Sequence, residues 1–470
     1  MRIFDDSRAV AARHPYLFRL ILAGLAVVVT GFPSPASAVP SYARQTGFSC
    51  EVCHTVFLEL TPFGRDFKLN GYIFQTGREV TDVSPGKEKT LTLADLPPIS
   101  FMVQVASNTT NKSVPDSVIA GANAQNTQLQ FPQQASIFYA GKIAPHLGSF
   151  MQVTYDGAAD ALSMDNADIR FADTGTIGST DVVYGLSLNN SPTVQDVYNT
   201  VPAWGFPFAG SSVAPAPDAA TLIDGSLGQD VLGLTAYASF DKMFYVEGGA
   251  YRTARLGKGG PLDSTDAFVI DTLAPYWRFA YERRWGRNSW SGGTYGMYAA
   301  IKPGDGVPVT GGLSDHYTDV ALDTQYQYIG DRDMISVFAT WIHENAERDA
   351  SFALDNATNL NDELQTFRAT ATYYYMRTIG GSVGMFSTWG DADPTVFGMS
   401  PFPGVSGSRT GKPNSNGAIL ELDYVPWLNT KLIAQYTIYN EFNGASKNYD
   451  GFGRDASDNN TLYFSLWYVF

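Results

Sequence analysis

The sequence lacks the signals of a helical membrane protein beyond residue 39. No continuous apolar run there reaches the ~20 residues that a spanning helix needs, and no long apolar stripe repeats with the 3.6-residue helical period. Positive charge is also scarce, because 31 lysines and arginines stand against 46 aspartates and glutamates, for a formal net charge of −15. This balance disfavours a nucleic-acid partner and is better suited to a cationic substrate or partner.

Cysteine is almost absent, and both copies belong to one motif. Cys50 and Cys53 are followed directly by His54, in the order Cys-Glu-Val-Cys-His. This spacing is that of a c-type haem attachment site, in which two thiols bond to the haem vinyl groups and the adjacent imidazole binds the iron. The alternative is a disulfide of the thioredoxin type, which needs a βαβ context that the neighbouring residues do not supply. The motif predicts one covalently bound haem c and a role in electron transfer.

Residues 1–38 have the features of a secretion signal. Four arginines accompany an apolar run over 21–30, and Ala36, Ser37 and Ala38 form a small-residue cleavage site. Removal of this segment, which also carries two aspartates, would leave a net charge of −17. Export brings the two cysteines to the compartment where c-type haem is attached, so the signal and the motif agree.

Short segments of alternating apolar and polar residues dominate the rest of the chain. They are rich in aromatic residues and are separated by clusters of Gly, Asn, Asp and Pro, as strands and their turns are. Read with a period of two residues, sixteen strands are predicted. They cover 99–107, 134–143, 148–158, 165–173, 180–188, 231–239, 243–252, 267–282, 290–301, 317–329, 333–343, 363–376, 381–389, 417–425, 430–440 and 460–470.

The connections between these strands predict a closed sheet. Short turns alternate with mostly long polar loops, which is the asymmetry of outer-membrane barrels with short periplasmic turns and long outer loops. The short turns include 144–147, 241–242, 330–332 and 426–429, and the long loops include 108–133, 189–230, 302–316, 344–362, 390–416 and 441–459. We therefore expect an all-β fold, a 16-stranded outer-membrane β-barrel over 97–470, with both chain ends on the periplasmic side.

The last predicted strand carries the face pattern of such a barrel. Leu466 and Phe470 share an apolar face, whereas Thr461 and Ser465 share the opposite, polar face. The terminal Phe470 resembles the assembly signal of bacterial outer-membrane proteins. A soluble β-sandwich also alternates, but it does not need sixteen strands with long loops on one side.

Residues 39–96 form a small segment between the signal and the barrel. Thr61 is expected to cap a short amphipathic helix, with Pro62 at its first position and Gly71 just past its end. A segment of this size needs outside support to bury a haem, and the lumen of a sixteen-stranded barrel can hold a plug. We expect a helical monohaem cytochrome c segment that plugs the lumen.

Positive charge is concentrated in this segment. Arg44, Arg65 and Lys68 lie within residues 39–78, where four cations stand against three carboxylates. Such cations suit haem propionates or an acidic lumen, and ordinary solvated surface is the alternative for any one of them.

The residues around the haem motif closely resemble a known family. The runs 43–55, 59–65 and 67–72 are similar to the outer-membrane cytochrome–porin fusion family called Cyc2, and the likeness continues more loosely in 152–156 and 189–196. Leu58 departs from the proline expected there. Members of the family are regarded as Fe(II) oxidases with one N-terminal c-type haem plugged into a sixteen-stranded barrel. The resemblance implies electron transfer more firmly than it implies iron, since some members have no established donor.

The function expected from these features is electron transfer across the outer membrane of a Gram-negative bacterium. Extracellular Fe(II) is the expected donor, and a periplasmic cytochrome c or copper protein is the expected acceptor. Three alternatives stay open, namely a diffusion porin with the haem as a structural plug, electron export to an external acceptor, and a haem enzyme such as a peroxidase. A peroxidase would need distal acid–base residues, and residues 55–101 contain no His and no Met, so this alternative is only weakly supported.

Two further predictions concern ligands outside the haem motif. Met102 is expected to face the lumen on the first strand and is a candidate for the distal ligand of the haem iron, with a packing methionine as the alternative. His316 and Asp319, at the end of one predicted strand, neighbour His343 and Glu344 on the next. Imidazoles and carboxylates suit ferrous iron, so this group is a candidate docking site for Fe(II), with a solvated acidic rim as the alternative.

Overall fold

The structure is a computed structural model in which most of the chain beyond residue 40 is described. The described residues are 41–55, 59–74, 79–80, 93–94, 98–115, 127–200, 214–227, 230–254, 269–302 and 312–470. The expected secretion signal over 1–38 lies outside these ranges. Residues Ala38–Phe470 form one compact unit.

Sixteen long strands build the wall of the fold, and each corresponds to one of the sixteen predicted from the sequence. They are β1 Ile99–Thr110, β2 Thr127–Ala144, β3 Leu147–Asp156, β4 Ala161–Ile177, β5 Thr180–Asn189, β6 Val231–Phe240, β7 Phe244–Thr253, β8 Ala274–Trp285, β9 Asn288–Lys302, β10 Asp315–Ile329, β11 Asp333–Glu347, β12 Asn361–Tyr375, β13 Ile379–Gly390, β14 Ser415–Trp427, β15 Thr430–Glu441 and β16 Thr461–Val469. The predicted strand 267–282 is interrupted, because Val269–Ile270 pairs with the end of β9 before β8 begins.

The sheet closes on itself. Each strand pairs antiparallel with its neighbours in the chain, and β16 pairs antiparallel with β1, for example Leu466 with Val105. Closure leaves no strand edge with unpaired backbone groups, which is the requirement for a sheet whose wall faces lipid. The fold is therefore a closed sixteen-stranded antiparallel β-barrel, as expected.

The two faces of the wall differ as the alternating pattern predicts. On β16, Leu466, Tyr468 and Phe470 point outward, and about 40% of the surface of each is exposed. Thr461 and Ser465 point inward and are buried. An apolar exterior around a polar interior is typical of a barrel surrounded by lipid.

The connections divide the barrel into two unlike ends. The turn end carries the short connections 145–146, 178–179, 241–243, 286–287, 330–332, 376–378 and 428–429, whereas the loop end carries 111–126, 190–230, 254–273, 303–314, 348–360, 391–414 and 442–460, with 157–160 as its one short member. The loop end includes a helical turn Asp349–Ala353 and another, Ala456–Asn459. The asymmetry read from the sequence is thus present.

The β5–β6 loop folds into the lumen. Its residues 191–198 are buried, and a helical turn over Leu222–Ser226 reaches the inner wall. There the backbone N–H of Leu222 donates to Glu344 Oε2 (2.6 Å), and that of Ile223 donates to Asp319 Oδ2 (2.7 Å). The lumen is therefore partly filled from the loop end.

Among the described residues that precede the barrel there are three short helices, α1 Ser41–Thr46, α2 Cys50–Cys53 and α3 Pro62–Leu69. Beyond them, Glu79–Val80 pairs with Leu93–Ala94. None of the helices in the described ranges has the length and hydropathy of a membrane span. Residues 41–74, with α1, α2 and α3, are called the helical segment below.

Candidate functional site

The Cys-Glu-Val-Cys-His motif forms one helical turn and a bend. Cys50 and Cys53 begin and end α2, and His54 follows in extended backbone with its N–H donating to the carbonyl of Cys50 (2.9 Å). His54 also forms an antiparallel backbone bridge with Leu60. The two thiols are half-buried and are not joined in a disulfide. Two thiols and an imidazole are thus presented within one turn, as covalent haem attachment requires.

Desolvation sets the protonation of these three side chains. It raises the pKa of both the Cys50 and the Cys53 thiol to about 11 and lowers the pKa of the His54 imidazole to about 4. Thiols of thioredoxin type have lowered pKa values, so these cysteines lack the acidity of a redox-active disulfide pair. A neutral imidazole retains the lone pair that binds a metal.

Helix α3 fixes the position of the motif. Thr61 caps it, since its Oγ1 accepts a hydrogen bond from the Gly64 N–H (3.1 Å) and donates one to the Val52 carbonyl (2.6 Å). Gly64 lies so close to α2 that a Cβ atom there would stand 2.2 Å from the Cys53 carbonyl oxygen. Pro62 occupies the first turn, and Gly71 follows the helix with φ of 70°, so the predicted helix boundaries are confirmed.

A cavity opens beside the motif at the turn end of the barrel. It encloses about 630 Å³, part of it open to solvent, and Cys50, Glu51, His54 and Thr55 form one side. The barrel supplies the other side, made by the turn-end residues of β12, β14, β15 and β16 with their turns. These are Tyr374, Arg377, Val425, Leu428, Asn429, Thr430, Lys431, Trp467 and Val469.

Arg65 ties the helical segment to the barrel wall. Its guanidinium pairs with the Glu282 carboxylate of β8 (2.7 Å), and both side chains are almost fully buried. The same guanidinium donates to the Leu60 carbonyl (2.7 Å) and to the side-chain oxygens of Gln325 and Gln327 on β10 (3.2 and 3.0 Å). The sequence assigned Arg65 to haem propionates as a candidate, but these contacts direct the side chain to the wall.

The other two predicted propionate contacts also meet the barrel. Lys68 donates to the backbone carbonyls of Val194 (2.6 Å) and Asp196 (2.7 Å), which belong to the inward β5–β6 loop. Arg44 donates to the Ile99 carbonyl at the start of β1. Three cations read from the sequence as cofactor ligands therefore join the helical segment to the wall and to the inward loop.

Met102 faces the lumen, as the alternation predicts. It is buried at 3% exposure and packs against Trp467 and Val469, which both line the cavity. Val469 is its direct cross-strand partner. Met102 thus lies directly behind two side chains that line the cavity. Its role as distal ligand stays a prediction.

The predicted iron-docking group does not come together. Asp319 and Glu344 are cross-strand partners that point into the lumen, where they hold the inward loop. His316 and His343 lie on the opposite, outward face, where His316 contacts the Tyr298 hydroxyl (2.6 Å) and His343 stacks on Trp341. No group of three or more metal-ligating side chains occurs within the described residues. The four-residue site is therefore not formed.

Sequence reasoning missed two cations that line the cavity. Arg377 belongs to the β12–β13 turn, and Lys431 stands at the turn-end start of β15. Neither residue belongs to a motif, and each is distant from Cys50 in the chain, so only the closure of the barrel brings them to the site. Their spacing in the sequence gives no signal.

The Arg65–Glu282 pair generates a prediction about the seating of the helical segment. Arg65→Ala removes the buried partner that joins Glu282 to the helical segment and leaves this carboxylate paired only with Arg284 of its own strand (2.7 Å). The loss of these charged hydrogen bonds is expected to cost about 1.5–3 kcal/mol of the free energy that holds the segment. Limited proteolysis should then cut within 41–74. The control is Lys242→Ala, which removes the exposed partner of Asp66 and should cost about 0–1 kcal/mol. Equal protection of both variants would contradict the anchoring role.

No protein-family model and no curated protein matches the chain. Solved structures with a similar arrangement include OprB of Pseudomonas putida, with 14% identity, a TM-score of 0.45 and coverage of 79% of this chain and 93% of that chain. The outer-membrane channel DcaP of Acinetobacter baumannii has 10% identity, a TM-score of 0.43 and coverages of 79% and 96%. An anion-selective porin from Comamonas acidovorans has 13% identity, a TM-score of 0.40 and coverages of 79% and 98%. At these levels the barrel assignment depends on the strand pairing of this chain alone.

Proposed function

We propose that this chain is an outer-membrane c-type cytochrome that takes electrons from extracellular Fe(II) and passes them to a periplasmic carrier. The observation that carries the proposal is the presentation of Cys50, Cys53 and His54, on one helical turn, to a cavity at the turn end of a closed barrel. Two free thiols and an imidazole beside a partly open cavity are a poor fit to a plain diffusion channel.

The residues around the cavity fit a haem. Val425, Leu428, Trp467 and Val469 offer apolar surface for the macrocycle. Arg377 offers positive charge for its propionates, whereas Lys431 is already paired with Glu421 and Asp423. When bound, haem c supplies a one-electron couple at its iron. Cys50 and Cys53 would hold the group covalently, and His54 would be the proximal ligand.

The outer-membrane location is argued from the wall of the barrel. Its exterior is apolar, and its closed sheet has no unpaired edge strand, which suits ~30 Å of hydrocarbon. Short turns on the periplasmic side would place the cavity there, together with the first and last residues of the barrel chain. An electron accepted at the motif would then leave directly to a soluble carrier.

Iron is proposed as the donor from charge, size and resemblance. The motif lies at the turn end, so a donor from the loop side has to enter a lumen that the inward loop partly fills. A small cation meets this condition, and an acidic chain attracts it. The same parts would serve electron export to an external acceptor, which differs only in direction.

The second candidate is a diffusion porin in which the haem is a structural plug. The closed sixteen-stranded barrel with one loop folded inward favours it, since barrels of this size can hold an aqueous channel. The contacts of Lys68 with the inward loop weigh against free passage, because they join the material that enters the lumen from its two ends.

The haem assignment is tested by spectroscopy of purified protein from a host that attaches c-type haem. Wild-type protein should give a haemochrome spectrum of one haem c, and the Cys50→Ser, Cys53→Ser double variant should have none. His54→Ala should keep the haem through the thioethers but shift its spectrum and potential, because the axial ligand sets both. An unchanged His54→Ala spectrum would assign the proximal ligand elsewhere.

Electron transfer and diffusion predict opposite results in two assays on the same preparation. We expect Fe(II) to reduce the haem over a range of pH and the protein to conduct poorly in a planar bilayer. The haem-free double variant controls for direct reactions of iron with the assay. Large open-channel conductance with a haem that Fe(II) does not reduce would support the porin and reject the cytochrome.

The distal ligand is tested at Met102. If its thioether binds the iron, Met102→Ala should abolish the thioether–iron charge-transfer band and lower the potential, because thioether ligation raises it relative to bis-histidine. Met385→Ala is the control, since Met385 is exposed on the outward face. A six-coordinate spectrum that is identical in wild type and Met102→Ala would leave Met102 as a packing residue.

A further inference from the structure

Arg377 is placed over the haem motif by its turn. Met376 and Arg377 both adopt positive φ, 49° and 55°, in the short connection between β12 and β13. The guanidinium reaches α2, where it pairs with the Glu51 carboxylate (3.3 Å) and donates to the Glu51 carbonyl oxygen (3.4 Å). It therefore lies between the barrel rim and Glu51, one of the two residues between the cysteines.

The second cation of the cavity, Lys431, is engaged more completely. Its ammonium contacts Glu421 Oε1 and Asp423 Oδ1, both at 3.1 Å, and both carboxylates are buried. Those carboxylates accept further hydrogen bonds, Asp423 from the Tyr374 hydroxyl (2.5 Å) and Glu421 from the Gln435 amide (2.7 Å). An added anion beside Lys431 would face two negative charges.

Arg377 is in a different situation. Its carboxylate partner, Glu51, is on the surface of the segment, with 36% of its side chain exposed, and can turn to water. A guanidinium has five N–H donors in a fork that matches a carboxylate, so Arg377 can hold a second carboxylate or exchange Glu51 for one.

We propose that Arg377 binds the haem propionates and fixes the orientation of the haem in the cavity. The inference rests on the proposed haem. It assigns to Arg377 the propionate contact that was predicted from the sequence for Arg44, Arg65 and Lys68. A positive charge next to the propionates favours the reduced state, which carries one less positive charge at the iron. Arg377 would therefore raise the potential towards that needed to accept an electron from Fe(II).

The test compares Arg377→Gln and Arg377→Lys with Arg287→Gln. Arg287 is a matched control, because it lies in another short turn of the same end and pairs with the exposed Asp331, away from the cavity. Haem content is measured first, then the midpoint potential, then the Raman bands of the propionates. Arg377→Gln should lower the reduced-to-oxidised ratio at a fixed applied potential about tenfold, or ~59 mV for one electron, and should move the propionate bands.

The outcomes separate the two proposals. A wild-type protein without haem would reject the proposed function itself. Haem-loaded variants that all share the wild-type potential and propionate bands would overturn the role of Arg377 and leave the cytochrome intact. Arg377→Lys should have a midpoint potential between those of the wild type and Arg377→Gln. Glu51→Gln, which removes the competing carboxylate, should keep the wild-type propionate bands. Arg377→Lys decides the question if Arg377→Gln fails to assemble, because a potential and propionate bands equal to those of the wild type would overturn the role of Arg377.

Discussion

The buried ion pair between Arg65 and Glu282 is the contact on which the arrangement of the site depends. An ion pair is stable away from water only when further hydrogen bonds satisfy the remaining donors and acceptors. Here Gln325, Gln327 and the Leu60 carbonyl meet that condition for the guanidinium. Because α3 carries Arg65 and packs on α2 through Gly64, the pair also sets where the two cysteines face the barrel.

The interior of the barrel is charged and aromatic. Arg170 pairs with Asp168 on the same strand and lies over the rings of Tyr72 and Tyr237, while Arg278 pairs with Asp323 and lies over the ring of Tyr198. Guanidinium groups stack on aromatic faces when both are desolvated. Tyr72 comes from the helical segment and Tyr198 from the inward loop, so the same chemistry holds both to the wall.

Most of the fold could be predicted because the strand pattern and the helix cap depend on residues that are close together in the sequence. A strand with lipid on one side and a polar lumen on the other must alternate, and Leu466 and Ser465 show this without any tertiary knowledge. The cap at Thr61 is equally local. The inward course of residues 191–198 and 222–226 carries no such signal, because the contacts that place these residues, such as those of Leu222 with Glu344 and of Ile223 with Asp319, involve distant strands. Arg377 was missed for the same reason.

The failed iron site teaches a narrower lesson. His343 and Glu344 are consecutive on a strand, and His316 and Asp319 are separated by an odd number of positions, so each pair must lie on opposite faces. The sequence contained this information. The prediction placed these residues where the strands 317–329 and 333–343 end, whereas β10 and β11 continue to Asp315 and Glu347.

The helical segment forms hydrogen bonds with strands on opposite sides of the closed barrel. Ser41 donates to the Ala140 carbonyl of β2, and the Leu60 carbonyl accepts from Gln327 of β10, half the circumference away. The two contacts can exist together only when strands from both halves of the chain are in the wall. Biogenesis of the protein thus couples two events, since the segment, made first, reaches its final seat only with the barrel that encloses it.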